Sequence, residues 1–123
     1  MSKIQKSIRQ IIKSHFLEMQ NIRHHIHRNP ELSFEEYETA NFIEKQLDNM
    51  GLSYKRMAKT GVVGYLGKPN IGKTLALRAD IDALPIVESN NTSYTSKNKG
   101  IMHEILDAAH IEKDIPRGKK SDE

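Results

Sequence analysis

Apolar residues recur at three- and four-residue steps through the first part of the chain. Ile4, Ile8, Ile11, Ile12, Phe16, Met19, Ile22 and Ile26 form one stripe, which predicts an amphipathic helix over 3–28. Asn29-Pro30 ends it, because the residue before a proline is pushed out of the helical region. A second stripe follows in Phe34, Tyr37, Ala40, Ile43, Leu47 and Met50. Ser33 and Glu36 have the spacing of a capping box, Leu32 and Tyr37 that of a hydrophobic staple, and Gly51 supplies a left-handed stop. The period then shortens to two, predicting strands over 53–57, 61–66 and 74–80. The turn-rich GKPNIG at 67–72 suits a hairpin between the last two strands. Residues 89–100 read as a polar surface loop. A weaker stripe of Ile101, Ile105, Ala108 and Ala109 predicts a short C-terminal helix over 101–115, and the tail after Pro116 is expected to be disordered.

The strand at 74–80 runs into the chain's most informative stretch, TLALRADIDALPI. Leu75, Leu77, Ala79 and Ile81 fall on one side, and Arg78, Asp80 and Asp82 on the other. Pro85 cannot donate to a sheet ladder, so two carboxylates leave a strand end on the same face. Open α/β sheets place ligand sites at such strand ends. Like charges this close need a cation. Arg78 on the same face is one solution; a metal, or a metal-binding histidine oriented by one Asp, is the other.

His24, His25 and His27 point in three directions on a helix and lack the four-residue spacing of a helical zinc pair, which favours structural or surface roles. Glu35, Glu36, Glu38 and Glu44 read as solvated or dipole-compensating acids near a helix start. His103, Asp107 and His110 share one face of the predicted last helix, and a minimal metal site would add them to Asp80 and Asp82. Residues 67–74, GKPNIGKT, match the phosphate-loop pattern. A strand follows where a helix is needed, however, and Pro69 removes an N–H donor from the cradle.

Composition narrows the partners. The chain of 123 residues allows one domain, and 37% hydrophobic residues is low for a compact one, which hints at a polar tail or at surface meant for a missing partner. With no cysteine there are no disulfides and no thiolate metal ligands. The net charge of +3 lies partly in the terminal RGKK, and basic residues do not interleave with stacking aromatics, so nucleic acid is not an expected partner. No membrane span and no signal-peptide pattern is present, so no membrane partner is expected and the default location is cytoplasmic.

Three motifs occur in order: H-x-x-P-E-L-S-F-x-E at 27–36, R-A-D-x-D-A-L-P at 78–85 and G-x-M-H at 100–103. Over about 5–103 the chain resembles the N-acyl-amino-acid amidohydrolases, the hippurate-hydrolase and auxin-conjugate-hydrolase branch of the dizinc aminoacylase/carboxypeptidase metallopeptidases. The resemblance implies that 1–103 is the N-terminal portion of a mixed-sheet α/β catalytic domain, with two helices, then a three-stranded segment and a short C-terminal helix. It implies cleavage of the amide bond of N-acyl amino acids such as hippurate, with two divalent metals, zinc or manganese. Asp82 matches the family aspartate that orients a metal-binding histidine, and Asp80 stands where the wider family has that histidine.

After Met102-His103 the family continues A-C-G-H-D-x-H, but this chain reads Glu104-Ile105-Leu106-Asp107-Ala108. The next ligands, the paired glutamates and the lid domain are not found, and the break is as abrupt as a frameshift, a deletion or a mispredicted gene end would make it. The expectation is therefore a truncated amidohydrolase, inactive as this chain, with no cofactor of its own and with 104–123 a non-family tail. The alternative is a non-catalytic fragment that self-associates, or pairs with a full-length relative, through exposed apolar surface.

Overall fold

Ser2 starts the first helix. Its hydroxyl accepts the N–H of Gln5 at 3.2 Å, and the Gln5 side chain returns the bond to the Ser2 N–H at 2.8 Å, a reciprocal capping box. Helix α1 then runs Lys3–Arg28, with His25, His27 and Arg28 in its last turn, where cations complement the helix dipole. The computed structural model describes residues 2–68, 71–103 and 110–113, the last as a backbone strand. Asn29 closes the helix by donating its N–H to Ile26, and Pro30 is fully buried. The apolar stripe is present as expected, but residues 2–19 are exposed on every side, and its burial begins only near Ile22 and Ile26.

Helix α2 spans Tyr37–Asn49, and its start differs from the expected one. No side-chain cap bond is made at the N-cap, Glu36. The carboxylate of Glu31 accepts the N–H groups of Glu38 at 3.1 Å and Thr39 at 2.7 Å instead. The reason is the path of the chain: Leu32 is drawn into a parallel bridge with Ala83, and an anionic acceptor satisfies helix N–H donors more strongly than a hydroxyl. Phe34, expected in the buried stripe, has a φ of 68° and is 82% exposed. The helix ends as expected. Gly51 has a φ of 67°, and the N–H groups of Gly51 and Leu52 return to Asp48 and Leu47, a Schellman closure.

Strands β1 (Ser53–Met57) and β2 (Gly61–Tyr65) form an antiparallel hairpin packed on α2. Arg56 on β1 forks onto Glu44 of α2 with two bonds of 2.7 Å, and Tyr54 donates to Asp48 at 3.1 Å. The hairpin expected across 67–72 does not form. Strand β3 (Leu75–Arg78) pairs antiparallel with β4 (His110–Lys113) in a separate two-stranded sheet. Residues 110–113 are therefore strand where a short C-terminal helix was expected, because they supply the hydrogen bonds that β3 needs along its edge. The rest of the expected tail, 104–109 and 114–123, lies outside the described residues. Pairing of β3 stops at Arg78, earlier than the sequence pattern implies.

The architecture is α/β: two helices, a hairpin and a second small sheet. Its buried apolar centre is thin, with Ala40 and Ala83 the buried hydrophobic residues among those described. Much of the remaining order comes from polar ties between residues 27–32 and the loop after β3.

Candidate functional site

Past Arg78 the chain leaves β3 as an extended strand end carrying Asp80 and Asp82. Arg78 Nη2 lies 2.8 Å from Asp80 Oδ1, so one of the two carboxylates has its cation within the chain. Asp82 is half-buried. Immediately afterwards the Ala83 N–H donates to the Glu31 carbonyl at 2.8 Å. Leu84 and Met102 then exchange both backbone bonds at 3.0 Å. That exchange brings the backbone before His103 alongside the backbone after Asp82, so two of the predicted site residues come to one strand end.

The other predicted residues do not complete this site. His110 lies on β4, paired with Arg78, so the helical face of His103, Asp107 and His110 is not formed. Asp107 lies outside the described residues. Among the described residues, no three His, Cys, Asp or Glu side chains converge to hold a metal ion. With Asp80 on Arg78 and His110 in a strand ladder, the described residues do not fit a dinuclear centre, which needs several ligands converging from different strand ends.

The three histidines of α1 reach three different partners, as helical geometry requires. His24 stacks on Tyr94, with centroids 3.8 Å apart, and His25 stacks on Phe42 at 4.0 Å. His27 Nε2 meets Glu88 Oε1 at 3.0 Å, with side chains only 7% and 4% exposed. The second Glu88 oxygen accepts the Ser96 N–H at 2.7 Å. The His27 bond, then the Ser96 N–H, hold the Glu88 carboxyl below its ordinary pKa against the opposing effect of burial. The His24 pKa is lowered by loss of water around its ring, then by Arg23 and Arg28 nearby. Sequence reasoning missed the His27–Glu88 pair because its members lie 61 residues apart. Glu36, read as a solvated or dipole-compensating acid, sits at the N-cap of α2 but is only 6% exposed, and its Oε2 has no hydrogen-bond partner among the described residues.

An open cavity of about 490 Å³ lies between α1 and α2, lined by His25, Glu31, Glu38, Thr39, Phe42 and Lys45 among others. Asp80, Asp82 and His103 do not line it. The strand end, where the two chain segments are stitched together, is thus the better candidate for chemistry, although the cavity is the more visible hollow.

No family model matches the chain. Relatives do. The chain is 48% identical over 87 residues to hippurate hydrolase of Campylobacter jejuni, covering 70% of this chain and 23% of that protein. It is 52% identical over 83 residues to N-acetyl-L-cysteine deacetylase of Bacillus subtilis, covering 67% of this chain and 20% of that protein. The crystal structure of a dinuclear metal-binding peptidase of the M20 family from Bacillus subtilis superposes with a TM-score of 0.69 at 39% identity, over 74% of this chain and 26% of that one. The chain is thus homologous to one part of these hydrolases, and its structural neighbour is an M20 peptidase. It spans between a fifth and a quarter of the length of these curated relatives. The α/β arrangement of two helices and small antiparallel sheets is that of part of an M20 peptidase domain. Among the described residues, no helix is long and apolar enough to cross a membrane.

Proposed function

We propose that residues 1–103 are the N-terminal portion of an N-acyl-amino-acid amidohydrolase domain, and that this chain by itself does not hydrolyse its family's substrates. The reading is supported by the strand end, where the Leu84–Met102 bridge sets the backbone before His103 beside that after Asp82, while among the described residues no three metal-binding side chains converge. In the whole domain the substrate class is a small N-acyl amino acid such as hippurate, and the two divalent ions are zinc or manganese. There Asp82 has the position that orients a metal-binding group. The metals would supply an activated water and polarise the amide carbonyl.

The test is hydrolysis of hippurate and N-acetyl amino acids by the purified chain with zinc or manganese added. The expected result is no turnover above the protein-free blank. Turnover that disappears in Asp82→Ala would overturn the reading.

A second reading, a non-catalytic fragment that associates through apolar surface, is favoured by one specific observation. Ile4, Ile11, Phe16 and Leu66 are 72%, 59%, 60% and 88% exposed, more than isolated surface hydrophobes require.

A further inference from the structure

We propose that His27 is a positioning residue: paired with Glu88, it fixes the segment that delivers His103 to the Asp82 strand end. The importance of His103 itself rests on the amidohydrolase reading above. His27 lies in the last turn of α1, where Pro30 forces the chain out of the helix. Its ring is enclosed by Glu88 at 3.0 Å and by the edge of Tyr94, with centroids 5.7 Å apart. A carboxylate only accepts, so the 3.0 Å contact requires a proton on His27 Nε2. That nitrogen is thereby committed to Glu88 and is not available as a metal ligand.

Glu88 passes the constraint onward. Its other oxygen holds the Ser96 N–H at 2.7 Å, and the Ser96 hydroxyl donates to the Ile101 carbonyl at 2.8 Å. The next residue, Met102, is locked to Leu84 by two backbone bonds of 3.0 Å. His103 follows directly, with its ring centroid 6.5 Å from that of His27. Three further ties fasten the same two stretches: Lys97 N–H to the Arg28 carbonyl at 2.9 Å, Asn98 Nδ2 to the Pro30 carbonyl at 2.7 Å, and Ala83 N–H to the Glu31 carbonyl at 2.8 Å. The Ala83 and Lys97 ties are backbone bonds that any residue could make at those positions. The Asn98 tie and the His27–Glu88 pair both depend on side-chain identity; the pair joins two side chains that are each buried, and it alone continues through Ser96 toward Met102.

A residue that only stabilised the fold would have no selective effect on His103. The experiment is therefore an NMR comparison of the full chain, labelled in its histidines and backbone amides, across His27→Leu, His27→Gln and Leu47→Ala. Leu47 packs on the distant hairpin at Gly64 and serves as a destabilising control. In His27→Leu the His103 imidazole signals shift and the Ser96 amide loses its protection from exchange. In His27→Gln, whose side-chain amide still offers Glu88 a donor, both return toward the native values. Leu47→Ala leaves both in place. An unmoved His103 signal in folded His27→Leu, or an equal displacement in Leu47→Ala, overturns the proposal. Should His27→Leu fail to fold, Glu88→Met gives the same reading. It keeps much of the volume but offers neither His27 nor the Ser96 N–H a carboxylate acceptor, so His103 must shift, and an unmoved signal overturns the proposal. Hippurate turnover by the chain would sink the functional reading without touching this result, so the two failures are distinguishable.

Discussion

At the residue scale, Glu88 faces one donor at each of its oxygens, and the sign of its pKa shift sets an acid sensitivity. The folded state holds its carboxyl below the ordinary value, so folding favours the deprotonated form. The resulting stability is fully present above the unfolded glutamate pKa of about 4.3 and is lost as pH falls below it toward the folded value. His24 has the same sign: its lowered pKa contributes stability above about pH 6.5 that is lost on acidification. Thermal unfolding followed by circular dichroism should therefore show a midpoint that falls from pH 7 to pH 4. Glu88→Gln should flatten the part of the curve below about pH 4.3, and an unchanged curve in that variant would contradict the assignment. Removing one partner of a buried hydrogen bond leaves the other atom unsatisfied, at a typical cost of about 1–3 kcal/mol. Urea titration of His27→Ala should show a loss of that order, against less than about 1 kcal/mol for substitution of an exposed pair such as His15–Glu18.

At the scale of elements, the hairpin turn shows what local sequence does and does not disclose. Both strands were legible from their alternation, but their connection was not. The turn after Met57 uses Ala58 and Lys59 at φ values of 48° and 71°, residues that carry no turn signature and that sit in the left-handed region at a cost. GKPNIG carries the signature, with Gly67 and Gly72 at 91° and 73°, yet it connects two different sheets. Turn composition marks where the chain bends, whereas the partner of each strand depends on edges that only the assembled fold offers. The cap of α2 was misread for a related reason. Ser33 and Glu36 are correctly spaced, but the Leu32–Ala83 bridge, between residues 51 apart in sequence, redirects the chain and brings Glu31 to the helix end. Lys59→Gly should raise stability by about 0.5–1 kcal/mol, since it removes the side chain that disfavours this φ. Within β2, Gly61→Ala should cost more than Gly64→Ala. A Cβ at 61 meets the Met57 carbonyl oxygen at 3.0 Å, whereas one at 64 meets the flexible end of Leu47 at 3.3 Å. Chemical denaturation of the two variants gives the ranking directly, and the reverse order would contradict the packing described.

At the scale of the whole molecule, the sequence motifs each mark a local arrangement that the structure forms: the Pro30 stop after α1, the strand end at Asp82 and the Met102 bridge. Sequence offered Asp82 and His103 as candidates, and the Leu84–Met102 bridge brings the segments that carry them together; the helix face projected onto 101–115 is not formed, because β4 pairs with β3. The apolar core of the described residues is thin. Ile8, Ile12 and Met19 of α1 and Leu75 and Leu77 of β3 are half to two-thirds exposed, so the amphipathic pattern is written for neighbours that the described residues do not supply. Light scattering after size exclusion should accordingly show a mass that rises with protein concentration, and Ile8→Lys together with Leu77→Lys should suppress it. The central claim, that the strand end of this chain does not assemble a dinuclear centre by itself, is tested most directly by calorimetric titration with zinc. The account predicts no saturable uptake of two ions per chain; tight binding of two ions, abolished by Asp82→Ala and by His103→Ala, would contradict it.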